Sequence, residues 1–229
     1  MSLATSPAQS TTPYTVVFAS GNRLASELTR GELQEYNRLP RDNAGRRRDW
    51  LAGRWAAKRA VAVRSGVPVE RLQLASRAGA GPQCMKFDGE RWTHLRISIS
   101  IAHCDGIAIA AAADNSTRIG VDIERVDEIA PEHRRYFLAP AEECVDASLA
   151  WVLKEAAWKA LGLGHDVPFT SVQLSFDRDG GILERVRLRS EWMSARADVI
   201  RFSYRRPMLA VVLEIGEIGE SGASEGELQ

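Results

Sequence analysis

The chain has 229 residues, 45% of them apolar, and its 30 basic side chains balance 30 acidic ones. That composition excludes a chain disordered throughout, and zero net charge makes no electrostatic case for a nucleic acid or an anionic membrane as partner. No apolar run approaches the roughly 20 residues that a membrane-spanning helix needs, and no basic stretch followed by an apolar one marks a secretory signal at the N-terminus.

In chain order, residues 1–13 are rich in Ser, Thr, Ala and Pro and read as a mobile tail. Residues 14–19 read as a strand and 26–38 as a helix, with Ser26 or Thr29 as its N-cap. In residues 46–65, Trp50, Leu51, Ala57, Val61 and Ala62 recur at helical spacing, and Gly66 and Pro68 end that helix. Residues 72–76 form a strand, followed by a turn at Gly79-Ala80-Gly81. Residues 95–102 and 107–113 form a hairpin through Cys104-Asp105-Gly106. Residues 118–124 follow as a strand, 131–137 as a short helix, and Pro140 starts a further helical turn. Ser148 caps a helix that runs to Leu161 and ends at Gly162 and Gly164. A strand at 172–176, a turn at Asp179-Gly180-Gly181 and a hairpin of 199–204 with 208–214 through Arg205-Arg206-Pro207 complete the elements. Residues 216–229, rich in Gly, Glu and Ser, read as a second mobile tail.

Two stretches resemble one another. Trp55-Ala56-Ala57-Lys58-Arg59-Ala60 parallels Trp151-Val152-Leu153-Lys154-Glu155-Ala156, and each is followed in the same order by a Gln-Leu strand, a Gly-rich turn and a hairpin. The recurrence at a spacing near a hundred residues predicts an α+β fold of two similar halves, residues 14–114 and 115–215, packed as an intramolecular pseudo-dimer. Cys84, Cys104 and Cys144 are widely spaced with no Cys-x-x-Cys pair, and they read as free thiols in a reducing cytoplasm.

The chemistry concentrates in two segments. In Gly120-Val121-Asp122-Ile123-Glu124 the strand alternation places Asp122 and Glu124 on one face, about 6.6 Å apart along the chain. By itself such a pair reads as a solvated strand face; with a cation between them, two carboxylates become ligands for a divalent metal such as Mg²⁺. In the helix, Trp151, Glu155 and Lys159 share a face at i, i+4 and i+8, with Lys154 flanking. Alone, Glu155 and Lys159 read as a surface ion pair, yet Trp151 and Trp158 point to a packed helix. His103 ends an apolar strand; its two readings are a structural His and a donor to a phosphate oxygen. Arg41, Arg46, Arg47, Arg48, Arg54, Lys58 and Arg59 cluster against only Asp42 and Asp49. In a neutral chain, guanidinium forks at that density suit phosphate.

Together these residues resemble the 4′-phosphopantetheinyl transferases of the larger, surfactin-synthetase-activator (Sfp) type. That family carries a Gly-[Val/Ile]-Asp-[Ile/Leu]-Glu strand followed by a Trp-x-x-Lys-Glu-Ala-x-x-Lys helix, and both motifs are complete here. The resemblance implies transfer of the phosphopantetheine arm of coenzyme A to a serine of an apo acyl or peptidyl carrier protein, releasing 3′,5′-ADP. It implies a cytoplasmic monomer serving fatty-acid, polyketide or nonribosomal-peptide synthesis, with coenzyme A bound between the halves. By resemblance Asp122, Glu124 and Glu155 ligate Mg²⁺, Glu155 is also the base, and Lys159 meets the phosphate and the departing charge. Lys154 and His103 would touch phosphate, and Arg48, Arg54 and Lys58 are candidates for the 3′-phosphate end.

Two departures stand out. The family's Gly-[Lys/Arg]-Pro segment is Ala80-Gly81-Pro82 here, without a cation, and Ala102 and Cys104 flank His103 where the family favours Ser. The rival functions are another Mg²⁺-dependent phosphotransferase or pyrophosphate hydrolase, and a non-catalytic coenzyme A-binding module.

Overall fold

The long helix is set by its ends. In the computed structural model, which describes residues 13–20, 25–77, 80–126, 129–142, 146–164, 166–176, 183–188 and 191–218, α2 (Ala44–Ser65) starts at Asn43. The Asn43 side chain accepts from the Arg46 amide at 2.9 Å, and the helix stops at Gly66, whose φ of 71° is left-handed and free of Cβ cost. It is preceded by β1 (Tyr14–Ser20) and α1 (Arg30–Arg38). The predicted 26–38 helix is shorter than expected because Thr29 caps α1, accepting from the Glu32 amide while the Glu32 side chain returns to the Thr29 amide. Only a separate 3₁₀ turn occupies Ala25–Glu27.

After α2 come β2 (Leu72–Arg77), β3 (Ala80–Phe87), β4 (Trp92–Leu95), β5 (Ile97–Cys104), β6 (Ile107–Asp114) and β7 (Arg118–Arg125). Then follow α3 (Pro131–Arg134), α4 (Ala147–Ala160), β8 (Val172–Phe176), β9 (Leu183–Leu188), β10 (Glu191–Tyr204) and β11 (Arg206–Ile218). The strands form sheets in the orders β1-β6-β5, β2-β3-β4 and β7-β11-β10-β9-β8, so the protein is a mixed α+β fold. β5 and β6 pair up to Cys104 opposite Ile107. Asp105 and Gly106 both have positive φ, 50° and 82°, the two-residue turn that matches the strand twist and favours Asp-Gly.

Three layers of apolar packing hold these sheets. Ala52, Ala56, Ala57, Ala60 and Val61 of α2 meet Ala108, Ala110 and Ala112 of β6, small side chains that let helix and sheet approach closely. The other face of β6, Ile109, Ala111 and Ala113, packs with Val121 and Ile123 of β7 and with Ala210 and Val212 of β11. The next layer joins Val152, Leu153, Ala156 and Ala157 of α4 to Leu209, Val211 and Leu213 of β11. β5 and β7 are linked through a hydrogen bond from the Val121 amide to Ser100 Oγ, 3.0 Å.

Several expected boundaries move. Asp146, not Ser148, caps α4, accepting from the Leu149 amide at 2.8 Å, and Ser148 is buried one residue inside the helix. The 131–137 helix is only the single turn α3. Ala80 and Gly81 open β3 instead of forming a turn, and Gly216 belongs to β11. β3, β4, β9 and the first half of β10 are strands that the sequence pattern does not mark. Polar and apolar residues mix in them without a clear apolar face, and partner strands impose the extended backbone. The turn at Asp179-Gly180-Gly181 and the tails at residues 1–12 and 219–229 lie outside the described residues.

Two buried lysines tie each long helix to its neighbours in the same way. Glu32 Oε2 accepts from the Thr29 amide at 2.9 Å and from Lys58 Nζ at 3.1 Å, while its Oε1 accepts from the Leu74 amide at 2.9 Å. Glu142 Oε2 accepts from the Ala139 amide at 2.6 Å and lies 2.7 Å from Lys154 Nζ, while its Oε1 accepts from the Leu174 amide at 2.7 Å. Lys154 also donates to the Val172 carbonyl at 2.7 Å. A buried charge is tolerated only when paired and hydrogen-bonded, and both carboxylates meet that condition.

Candidate active site

The site begins at Gly120. A Cβ built there would lie 1.8 Å from the Ala156 carbonyl oxygen, so only glycine lets β7 run this close to α4. Strand alternation then turns Asp122 to the same face. Asp122, only 2% exposed, accepts from Lys159 Nζ at 2.6 Å through Oδ1. Lys159 Nζ also lies 3.3 Å from Glu155 Oε2, one helical turn back. Glu124 is half-buried, and its Oε2 is the acceptor for the Cys104 thiol at 3.5 Å. The structure therefore brings together Asp122, Glu124, Glu155 and Lys159, with Cys104 beside Glu124.

This cluster is short of positive charge. Burial pushes Asp122 up to about 7; Lys159 opposes the shift, while Glu155 and Glu124 add to it. Glu124 is also raised, by burial and by Glu155, against the Cys104 hydrogen bond. Burial lowers Lys159, but Asp122 and Glu155 outweigh it and hold the ammonium above its ordinary value. Asp122 Oδ2 is buried with no hydrogen-bond partner among the described residues. Among those residues no three His, Cys, Asp or Glu side chains already surround a metal-sized point, because the Lys159 ammonium draws Asp122 and Glu155 to itself. The donor set, three carboxylates including one unsatisfied buried oxygen, nonetheless suits a hard divalent cation of the Mg²⁺ kind.

Other expected site residues lie elsewhere. His103 is exposed at the end of β5, its Nδ1 3.9 Å from Asp49 Oδ2. Arg48 lines a cleft of about 410 Å³ with Asp49, Asp105, Arg125, Arg205 and Arg206. Three further candidates, Lys58, Lys154 and Arg54, are buried. Lys58 and Lys154 are the sealed partners of Glu32 and Glu142. Arg54 is 4% exposed, pairs with Glu35 at 2.6 Å and lies over the Trp50 ring at 4.6 Å. None of the three lines the 410 Å³ cleft. Gly81 and Pro82 line a second cleft of about 390 Å³ with His94, Arg118 and Lys159, beside Ile97 at the start of β5. That is the end of the strand opposite His103, and Arg118 and Lys159 line this cleft together with the cation-free Gly81.

Arg125, Arg205 and Arg206 line the same cleft as Arg48, although in the sequence Arg205-Arg206-Pro207 reads only as the joint of a hairpin. A linear sequence does not show that this joint returns beside β7.

Residues 118–204 match the family model of the 4′-phosphopantetheinyl transferase superfamily. The matched span contains Asp122, Glu124, Glu155 and Lys159. No curated protein matches the chain. No helix among the described residues is long and apolar enough to cross a membrane.

Proposed function

We propose that this protein is a Mg²⁺-dependent 4′-phosphopantetheinyl transferase that moves the phosphopantetheine group of coenzyme A to a serine hydroxyl of an apo carrier protein, with release of 3′,5′-ADP. The observation that carries the reading is the convergence of Asp122, Glu155 and Lys159 around one buried point, inside the span that matches the superfamily.

The metal would be held by Asp122, Glu124 and Glu155, where it would polarise the pyrophosphate and offset the charge that develops on it. The chain's own groups account for the rest. The carrier serine Oγ bonds to the phosphorus that bears pantetheine as the bond from that phosphorus to the bridging oxygen breaks, and the bridging oxygen departs with 3′,5′-ADP. Glu155, half-buried at the cluster's edge, takes the serine proton directly or through a water. Lys159, held protonated by Asp122 and Glu155, would donate to the phosphate oxygens and offset the charge on the departing group.

The Sfp-type pseudo-dimer belongs to the same proposal, with halves at residues 14–114 and 115–215 in one cytoplasmic monomer. It is supported by the repeated arrangement of Glu32, Lys58 and Leu74 against Glu142, Lys154 and Leu174. In the first half Arg59 stands where the second has Glu155; it is exposed and lies over Trp55 at 5.1 Å. One carboxylate site, on the second half alone, agrees with that exchange.

Incubating the protein with Mg²⁺, coenzyme A and an apo carrier protein tests the reading by mass spectrometry. A carrier mass gain equal to phosphopantetheine is expected. Cleavage of coenzyme A without carrier modification indicates a hydrolase instead, and binding without turnover a non-catalytic module.

A further inference from the structure

We infer that Cys104 is a positioning residue: its thiol holds the Glu124 carboxylate in place for a divalent cation, so that β5 supports the carboxylate site built on β7 and α4. The inference rests on the metal reading above. Cys104 ends β5, where strand alternation puts Ser100, Ala102 and Cys104 on one face. Ser100 and Ala102 are buried and Cys104 is half-buried, and Ala102 and Cys104 pack with Val121 and Ile123 of β7. Ser100 Oγ accepts from the Val121 amide at 3.0 Å, and Cys104 Sγ donates to Glu124 Oε2 at 3.5 Å. The order of these contacts means that β5 runs along β7 in the same direction. His103, on the alternate face, meets Asp49 of α2 instead.

Two constraints fix the thiol. The Asp105-Gly106 turn closes directly on the last β5–β6 pair, Cys104 opposite Ile107. The next residues of the two strands also meet, Asp105 Oδ2 lying 3.7 Å from Arg125 Nε. Among the described residues no other side chain hydrogen-bonds the Glu124 carboxylate. A free glutamate side chain rotates, and that freedom is lost when it takes a metal. A donor on Oε2 restricts the rotation beforehand and leaves Oε1 for the cation. Partners of this kind, one bond behind a metal ligand, orient the ligand and set metal affinity. Asp122, 2% exposed and on the same face of β7 as Glu124, has its Oδ2 buried without a hydrogen-bond partner among the described residues. The cation that Glu124 is held for would satisfy that oxygen as well.

Calorimetric titrations of Mg²⁺ into wild type, C104S, C104A and C104V test the role. C104S keeps a donor, whereas C104A and C104V remove it. C104V keeps apolar bulk, so the test survives if C104A does not fold. Losing a partner behind a metal ligand costs roughly 10–100-fold in metal affinity. A thiol is a weak donor, so a loss of about tenfold is expected in C104A and C104V, and C104S should stay within about threefold of wild type. Melting temperatures without metal report the loss of packing separately, and packing alone does not reproduce rescue by C104S. Affinity in C104A and C104V within about threefold of wild type overturns the role, and so does a loss in C104S as large as theirs. Absence of Mg²⁺ binding in wild type sinks the metal reading itself. Equal binding by wild type and the three variants leaves that reading standing and removes Cys104 from it.

Discussion

Lys154 Nζ lies 2.7 Å from Glu142 Oε2, and neither side chain is more than 1% exposed. Lys154 directly precedes Glu155 in a motif that reads as phosphate-binding chemistry, yet its ammonium faces β8. Burial lowers the Lys154 pKa, with Glu142 opposing. Removing one partner strands the other charge in the core, at a cost of about 3–5 kcal/mol. K154M is therefore expected to unfold at clearly lower denaturant concentration than K154M/E142Q, which leaves no lone charge. Equal midpoints for the two variants would show that Glu142 is not stranded. K58M should behave in the same way through Glu32, lowering stability without distinguishing coenzyme A from its dephospho form.

Asp122 carries a pH signature. Its carboxyl is raised from 3.8 to about 7, so between these values the folded chain keeps a proton that the unfolded chain has lost. Stability then falls as pH rises through that window and levels off above it. D122N lacks this loss: its melting temperature is expected to equal that of wild type near pH 4 and to exceed it near pH 8. Parallel melting curves across that range would sink the burial argument.

Metal addition reverses that order. Mg²⁺ offsets the carboxylate repulsion in wild type, so its melting temperature at pH 8 is expected to rise with Mg²⁺ concentration. D122N should show no comparable rise and no transfer to carrier. Turnover at the wild-type rate in D122N would remove Asp122 from the metal site.

Gly120 tests the contact of β7 with α4. G120A forces a methyl against the Ala156 carbonyl, where the ideal separation is 1.8 Å. A destabilisation of about 3 kcal/mol or more is expected, at the upper end of overpacking costs. Chemical denaturation measures it; a variant as stable as wild type contradicts the close approach.

The two described thiols should be inert. Cys84 and Cys104 are each raised to about 12, chiefly by burial, which leaves very little thiolate at pH 8. Alkylation by iodoacetamide, followed peptide by peptide, is expected to be slow in the folded protein and fast in denaturant. Rapid labelling of folded Cys104 would place it in a different environment from the one beside Glu124.

The sequence by itself determined the parts that depend on local pattern. The β7 alternation of Val121 and Ile123 against Asp122 and Glu124, the caps Thr29 and Gly66, and the helical spacing of Glu155 and Lys159 follow from neighbours a few residues away. Only the tertiary structure decided which charges are buried and which face a cleft. Lys58 and Lys154 look like phosphate ligands until Glu32 and Glu142, more than ten residues distant in the chain, meet them in the core. Arg125, Arg205 and Arg206 look like turn and edge residues until β11 pairs with β7 and carries its turn beside Arg48. A charge's role is set by what stands opposite it, and in this fold that partner comes from a distant segment.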